Sequence, residues 1–406
     1  MSRDVTLERA LSLPMVTLYG LGTTLGAGIY VLVGKVAGAA GGWAPFSFLL
    51  ASALAAFSAL SFAELSSRYP KSAGPAVYVF KGFGSQGLST FVGFLVIFSG
   101  VVSSATIANG FVGYLHGFIV VPPPVAITAL VLLLGVIAGL GIKQSVGTAA
   151  VITLIEIAGL IWIIYGASDE MAAALSELRP IEPAAGFTSS FTGVVSGAVL
   201  AFYAYIGFED MVNVAEEIRS VERTLPRAII LTLVITTVLY VLVILAAMAA
   251  IPTQELSVSE APLALVFERT TNAPPGLIGA IALLAVVNGA LIQIIMGARM
   301  LYGLSKENWL PGAFARVNAQ TRTPLLATGC VTVLVLFFAL LLPLTSLAKM
   351  TSMLLLTVFA LVNLALYRMR RHQPSLNGGF RIPLWIPAAG GVTSAIFAVV
   401  CLVDLL

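Results

Sequence analysis

The chain has 406 residues, 59% of them hydrophobic and only 10% charged, with a mean hydropathy of +1.02. A soluble protein averages about 25% charged residues to wet its surface, so a soluble enzyme, a nucleic-acid binder and a disordered scaffold are excluded as whole-chain readings. The net charge of +3 is also too small to suggest a nucleic-acid partner.

A bilayer core of about 30 Å takes roughly 20 apolar helical residues. That ruler predicts eleven spans, over 13–34, 44–67, 87–116, 124–142, 146–166, 191–215, 228–250, 276–304, 324–342, 346–367 and 385–405. Helices satisfy every backbone polar group inside lipid, and these runs are too long and uniformly apolar for barrel strands. The start, MSRDVTLERA, is polar and mixed in charge, and no small-residue cleavage site follows a short apolar core. The first apolar segment is therefore expected to stay as a membrane helix.

Orientation follows from Lys and Arg, which concentrate in cytoplasmic loops. With the N-terminus inside, Arg3, Arg9, Arg68, Lys71, Lys81 and Lys143 fall inside, as do the later clusters around Arg223, Arg316 and Arg370. Of the 21 basic residues, only Lys35, Arg179, Arg269 and Lys349 fall outside. A missed span would reverse every later loop and destroy this pattern. Trp43, Trp162 and Trp385 lie near span ends, where interfacial anchors belong.

The first span reads Gly22-Thr23-Thr24-Leu25-Gly26-Ala27-Gly28 near mid-membrane. Alone, such glycines are better explained by close packing of small residues. The sixth span reads Phe202-Tyr203-Ala204-Tyr205-Ile206-Gly207-Phe208-Glu209-Asp210, a glycine followed at once by two carboxylates. A charge at membrane depth costs about 2.5–3.5 kcal/mol and marks function by default. Interruptions at corresponding places, five spans apart, point to a five-plus-five inverted repeat with a binding site at the breaks.

Elementary electrostatics then assigns roles. A half-helix starting at Gly26, Ala27 and Gly28 offers unpaired N–H groups and a positive dipole end, suited to a carboxylate. The sixth-span break frees carbonyls of Tyr203, Ala204 and Ile206, acceptors for an ammonium. Together they describe an amino acid zwitterion.

GTTLGAGIYVLVG at 22–34 resembles the first-helix signature of the amino acid–polyamine–organocation permeases. FYAYIGFEDMVNVAEEIRSVERTLPRAI at 202–229 is similar to their sixth helix and following loop, especially in the cationic amino acid transporter-like branch. SFAELSSRYPKSAGPAVYV at 61–79 and GARMLYGLSKENWLPGAFARVNAQTRTPLLA at 297–327 resemble the second-helix and eighth-helix regions. The resemblance implies an all-α leucine-transporter-type fold with broken helices one and six, alternating access and amino acid transport. It places the carboxylate site on Gly26, Ala27 and Gly28 with Thr24 alongside, and the amine site on the carbonyls of Tyr203, Ala204 and Ile206. It also places an aromatic gate at Tyr203 with Phe202 and Phe208, and an acidic position at Glu209. It implies a twelfth helix beyond the eleven. Where some members carry a lysine on the fifth helix, this chain has Glu156, so lysine-mediated proton coupling is not available.

Glu156 and Glu209 are instead the expected coupling residues, since acids within the membrane mark ion pathways. Ser103 and Ser104 on the third span and Asn288 on the eighth are pocket candidates, although such groups also glue helices together. Glu64 and Arg68, spaced i, i+4, are expected to form an interfacial ion pair. Nothing in the sequence calls for a cofactor or a metal, and no P-loop, G-x-S-x-G or H-E-x-x-H pattern suggests an enzyme.

The sequence thus predicts a secondary amino acid permease of the cytoplasmic membrane, monomeric as a functional unit, with protons as coupling partner. Its repeats are expected at 1–166 and 167–367, with an additional helix at 368–406. An exchanger, a polyamine or amine carrier of the same fold, and a non-transporting amino acid sensor are the alternatives.

Overall fold

The structure is a computed structural model that describes residues 11–70, 74–140, 146–176, 187–274, 276–306, 309–372 and 379–405. Arg3, Arg9, Lys71, Lys143 and Arg179 lie outside the described residues. Among these residues sixteen α-helices follow one another: α1 Leu13–Leu25, α2 Ala27–Ala40, α3 Ala44–Arg68, α4 Gly74–Phe83, α5 Gln86–Leu115, α6 Pro123–Leu140, α7 Val146–Gly166 and α8 Ser168–Ser176. Then come α9 Phe187–Tyr205, α10 Val221–Ala250, α11 Thr253–Val258, α12 Pro262–Thr271, α13 Gly276–Lys306, α14 Leu325–Leu341, α15 Leu344–His372 and α16 Trp385–Leu405. No strand occurs among the described residues.

Among these residues eight helical stretches are long and apolar enough to cross a membrane alone, and nine if the bent Ala150–Gly166 and Ser168–Ala174 pair counts as one. The stretch Gly28–Arg68 runs 41 residues, about 60 Å of helix and so two bilayer cores. It divides at Gly41, whose φ is +55°. Dividing it and adding the 17-residue α14 brings the number to the eleven the sequence predicts.

The first and sixth spans are broken where predicted. α1 ends at Leu25 and α2 restarts at Ala27 around Gly26, whose φ and ψ are −42° and −138°. α9 ends at Tyr205, and the chain resumes as a 3₁₀ stretch, Phe208–Glu217. Gly207 joins them at φ +131°, a region that side-chain-bearing residues avoid. The short helices α4, α8, α11 and α12 escaped the span ruler because they are too short to cross.

α2 packs on α9, α3 on α10, α5 on α13 and α6 on α14. Each of the first four spans therefore meets the span five places later, the arrangement of two intertwined five-helix halves. The C-terminal half of α2 packs on α11, where Lys35 Nζ donates to the Ser257 carbonyl at 2.7 Å.

At the opposite end Glu64 is fully buried. Its carboxylate meets Arg68 at 2.6 Å, as the i, i+4 spacing predicts, and Arg370 of α15 at 3.2 Å. It also accepts from the Ile382 N–H at 2.9 Å, just before α16.

Candidate functional site

Two adjoining cavities open at the breaks. One is lined by Thr23, Thr24, Gly26 and Gly28 from the first span and by Tyr203 and Ile206 from the sixth. Ser103 and Ile107 of α5 and Gly289, Ile292 and Gln293 of α13 complete it. The second shares Ser103, Ile206 and Gln293 with it and adds Glu209, Asp210, Met296, Met300 and Phe359.

Of the residues expected at the carboxylate site, Thr24, Gly26 and Gly28 line the first cavity, and the side chain of Ala27 lies outside the described residues. No side chain caps the N-terminus of α2, so the first N–H groups of that helix and its positive pole are left to whatever enters. The Thr24 hydroxyl is buried beside them, with no hydrogen-bond partner among the described residues. Gly28 is set by contact, because a Cβ there would stand 2.6 Å from the Ala204 Cα. The two breaks therefore touch backbone to backbone, which only glycine permits.

The predicted amine acceptors divide. Tyr203 and Ile206 line the cavity, but the Ala204 carbonyl turns away to accept from the Tyr240 hydroxyl of α10 at 2.8 Å. The Tyr203 carbonyl already accepts from the Ile206 N–H at 3.2 Å. Ile206 is thus the acceptor best placed toward the cavity.

The aromatic trio divides as well. Tyr203 spans the cavity to Ser103. Phe202 and Phe208 do not line either cavity, and both pack instead on Phe359, at 6.0 and 5.3 Å between ring centroids. Among these three, the cavity-facing ring is Tyr203, and Phe359 is the phenyl ring on the second cavity.

Glu209 lies beneath the break. Its Oε2 accepts from the Gly207 N–H at 2.9 Å, which ties the carboxylate to the strained turn. The neighbouring Asp210 faces Gln293, whose Nε2 donates to Oδ2 at 3.5 Å.

Glu156 of α7 is fully buried and lines neither cavity. Among the described residues neither carboxyl oxygen has a hydrogen-bond partner, while its carbonyl accepts from the Tyr30 hydroxyl at 3.1 Å. A buried carboxyl without partners is costly, and the rest of the fold must sustain it.

Of the pocket candidates, Ser103 lines both cavities, but Ser104 donates to the Ala290 carbonyl at 3.2 Å. Adjacent residues on a helix point about 100° apart, so one serine faces the cavity and the other joins α5 to α13. Asn288 is buried within α13 and off the cavities. Gln293, five residues on and about 140° around the helix, takes the position expected of it. Gly289 and Gln293, spaced i, i+4, form the cavity face.

Tyr240 was the functional candidate that sequence reasoning passed over. A signal existed: Thr232, Thr236 and Tyr240 repeat every four residues along an otherwise apolar span, a hydroxyl stripe. Thr232 and Tyr240 donate from it to the Thr17 and Thr24 carbonyls of α1.

Two broken helices facing each other across a neutral mid-membrane cavity define a secondary transporter of the leucine-transporter-type fold. The chain belongs to the amino acid permease family, whose sequence profile matches residues 11–405. Among curated relatives it is 28% identical over 404 residues to the branched-chain amino acid permease BcaP of Bacillus subtilis, covering 94% of this chain and 85% of that protein. It is also 28% identical over 389 residues to cationic amino acid transporter 3, mitochondrial, of Arabidopsis thaliana, covering 91% of this chain and 63% of that protein. The crystal structure of MhsT in complex with L-phenylalanine superposes with a TM-score of 0.67 at 13% identity, covering 98% of this chain and all of that one. These matches bear out the fold class and the permease family read from the sequence.

Proposed function

We propose that the protein carries a neutral amino acid across the cytoplasmic membrane by alternating access, with its N-terminus in the cytoplasm. The observation that carries this reading is the uncapped N-terminus of α2 opening into the cavity between the breaks, opposite Tyr203 and Ile206. The substrate carboxylate would take the N–H groups of Gly26, Ala27 and Gly28, with the Thr24 hydroxyl alongside. Its ammonium would take the Ile206 carbonyl and the outer lone pair of Tyr203.

The side-chain end of the cavity is formed by Ile107, Gly289, Ile292 and Gln293. It holds no acid or base, which favours an uncharged side chain of small to medium size. The branched-chain substrate in the name of the Bacillus relative agrees with such a pocket. Glu209 and Asp210, which line the adjoining cavity, support cationic amino acids as the second reading.

Coupling is assigned to protons at Glu156, the buried carboxyl without partners, with obligatory exchange as the alternative. The halves 1–166 and 167–367 act as the two repeats around this site, 368–406 adds a helix outside them, and one chain is the functional unit.

The test is uptake of a labelled amino acid panel into proteoliposomes with and without an inward proton gradient. Gradient-driven accumulation of apolar amino acids is expected. Uptake only against preloaded amino acid would make the protein an exchanger. Binding without counterflow would make it a sensor, and preference for substrates lacking a carboxylate would make it an amine carrier.

A further inference from the structure

Tyr240 is fully buried on α10 and lines neither cavity. Its hydroxyl oxygen stands 2.7 Å from the Thr24 carbonyl oxygen and 2.8 Å from the Ala204 carbonyl oxygen. Thr24 lies in the last turn of α1 and Ala204 in the last turn of α9. Both carbonyls belong to the set that a helix C-terminus leaves without an intrahelical partner, and both ends carry the negative pole of their half-helix. Two such ends repel when brought together in a dry interior. A phenol has a single proton to give, and here that proton lies between the two carbonyls and attracts both. The ring is packed edge-on against Tyr205 of α9 at 5.2 Å and Phe48 of α3 at 5.9 Å.

We propose that Tyr240 is the shared C-terminal cap of the two half-helices, a positioning residue that holds both breaks at the spacing one zwitterion can bridge. This rests on the reading above that carboxylate and ammonium are bound by different breaks. A ligand held by both gains from their fixed spacing, because its second contact forms within an already bound complex. A ligand held by one break has no such gain.

Tyr240→Phe keeps the ring and removes the proton. The experiment is competition against a labelled transported amino acid in proteoliposomes carrying the wild type or this variant. Three competitors are used: the amino acid itself, its carboxylic acid lacking the amine, and its amine lacking the carboxylate. The amino acid is expected to weaken about tenfold, and the two single-group analogues less than about twofold. Tyr205→Phe, which removes a neighbouring buried hydroxyl donated to the Phe48 carbonyl at 3.2 Å, is expected to leave the ratio unchanged.

Equal weakening of all three competitors, or an undiminished amino acid, overturns the proposal. A wild type that recognises no amino acid overturns the transport reading instead. If Tyr240→Phe does not fold, difluorotyrosine at position 240, a stronger donor of nearly the same size, replaces it. That variant is expected to raise the preference for the amino acid over its single-group analogues, and an unchanged preference refutes the cap.

Discussion

The Tyr203 hydroxyl stands 3.1 Å from the Ser103 Oγ and 3.2 Å from the Ser103 carbonyl oxygen, so one residue pair latches the sixth span to the third across the cavity. A buried hydrogen bond contributes about 1 kcal/mol net, or roughly a fivefold change in an equilibrium. Tyr203→Phe is expected to raise the transport KM about fivefold by loosening the enclosure. Ser103→Ala, which leaves the carbonyl acceptor in place, is expected to do less. Initial-rate uptake by both variants checks the order.

The contact between the breaks predicts a sharper effect. A Cβ at Gly28 would lie 2.6 Å from the Ala204 Cα, which is backbone and cannot swing aside. Gly28→Ala is expected to abolish uptake while the protein still inserts and purifies. Gly207→Ala meets a second obstacle, since φ at this position is +131° and the Thr23 carbonyl presses on the site. Holding alanine there costs on the order of 1–3 kcal/mol, read as a lower unfolding temperature in detergent.

Glu156→Gln separates coupling from folding. The amide is close in volume and uncharged, so thermal stability is expected to stay within about 1 kcal/mol of the wild type. Uptake is expected to lose its response to an inward proton gradient while counterflow persists. A variant that still accumulates substrate on the gradient would return Glu156 to a packing role.

Glu64 makes the stability prediction. Arg68 and Arg370 flank it with side chains only 6% and 10% exposed, and Arg370 also donates to the Ile382 carbonyl. Glu64→Ala removes the buried carboxylate that both guanidinium groups share, a loss on the order of 3–5 kcal/mol for a buried ion pair. The variant is expected to show a marked drop in unfolding temperature, with the segment before α16 released first. Protease accessibility of 379–384 reads that release.

The breaks were legible from residue type because glycine and carboxylate in an apolar span have few structural excuses. Gly26, Gly28, Gly207 and Glu209 all lie where that argument puts them. The pocket-facing residues were less legible. Ser103 and Ser104 are identical in type and adjacent, and only the rotation of α5 against α13 sends one to the cavity and the other to the Ala290 carbonyl. Asn288 and Gln293 differ for the same reason. Phe202 and Phe208 carry the apolar bulk expected of a gate, but an aromatic cluster around Phe62 and Phe359 claims both rings.

Hydropathy and the placement of Lys and Arg determine a multi-span helical chain, because lipid leaves the backbone no other way to satisfy its polar groups. The glycine-marked interruptions determine which two spans are broken. Which residue of the sixth-span break lines the cavity and which turns its carbonyl to Tyr240 was decided only by tertiary structure. Along a span of near-uniform hydropathy every face is equally apolar, so the rotation of a helix leaves no trace in its composition. It is set by the partners packed against it, here α10 on α1 and α13 on α5, and those partners are distant in sequence.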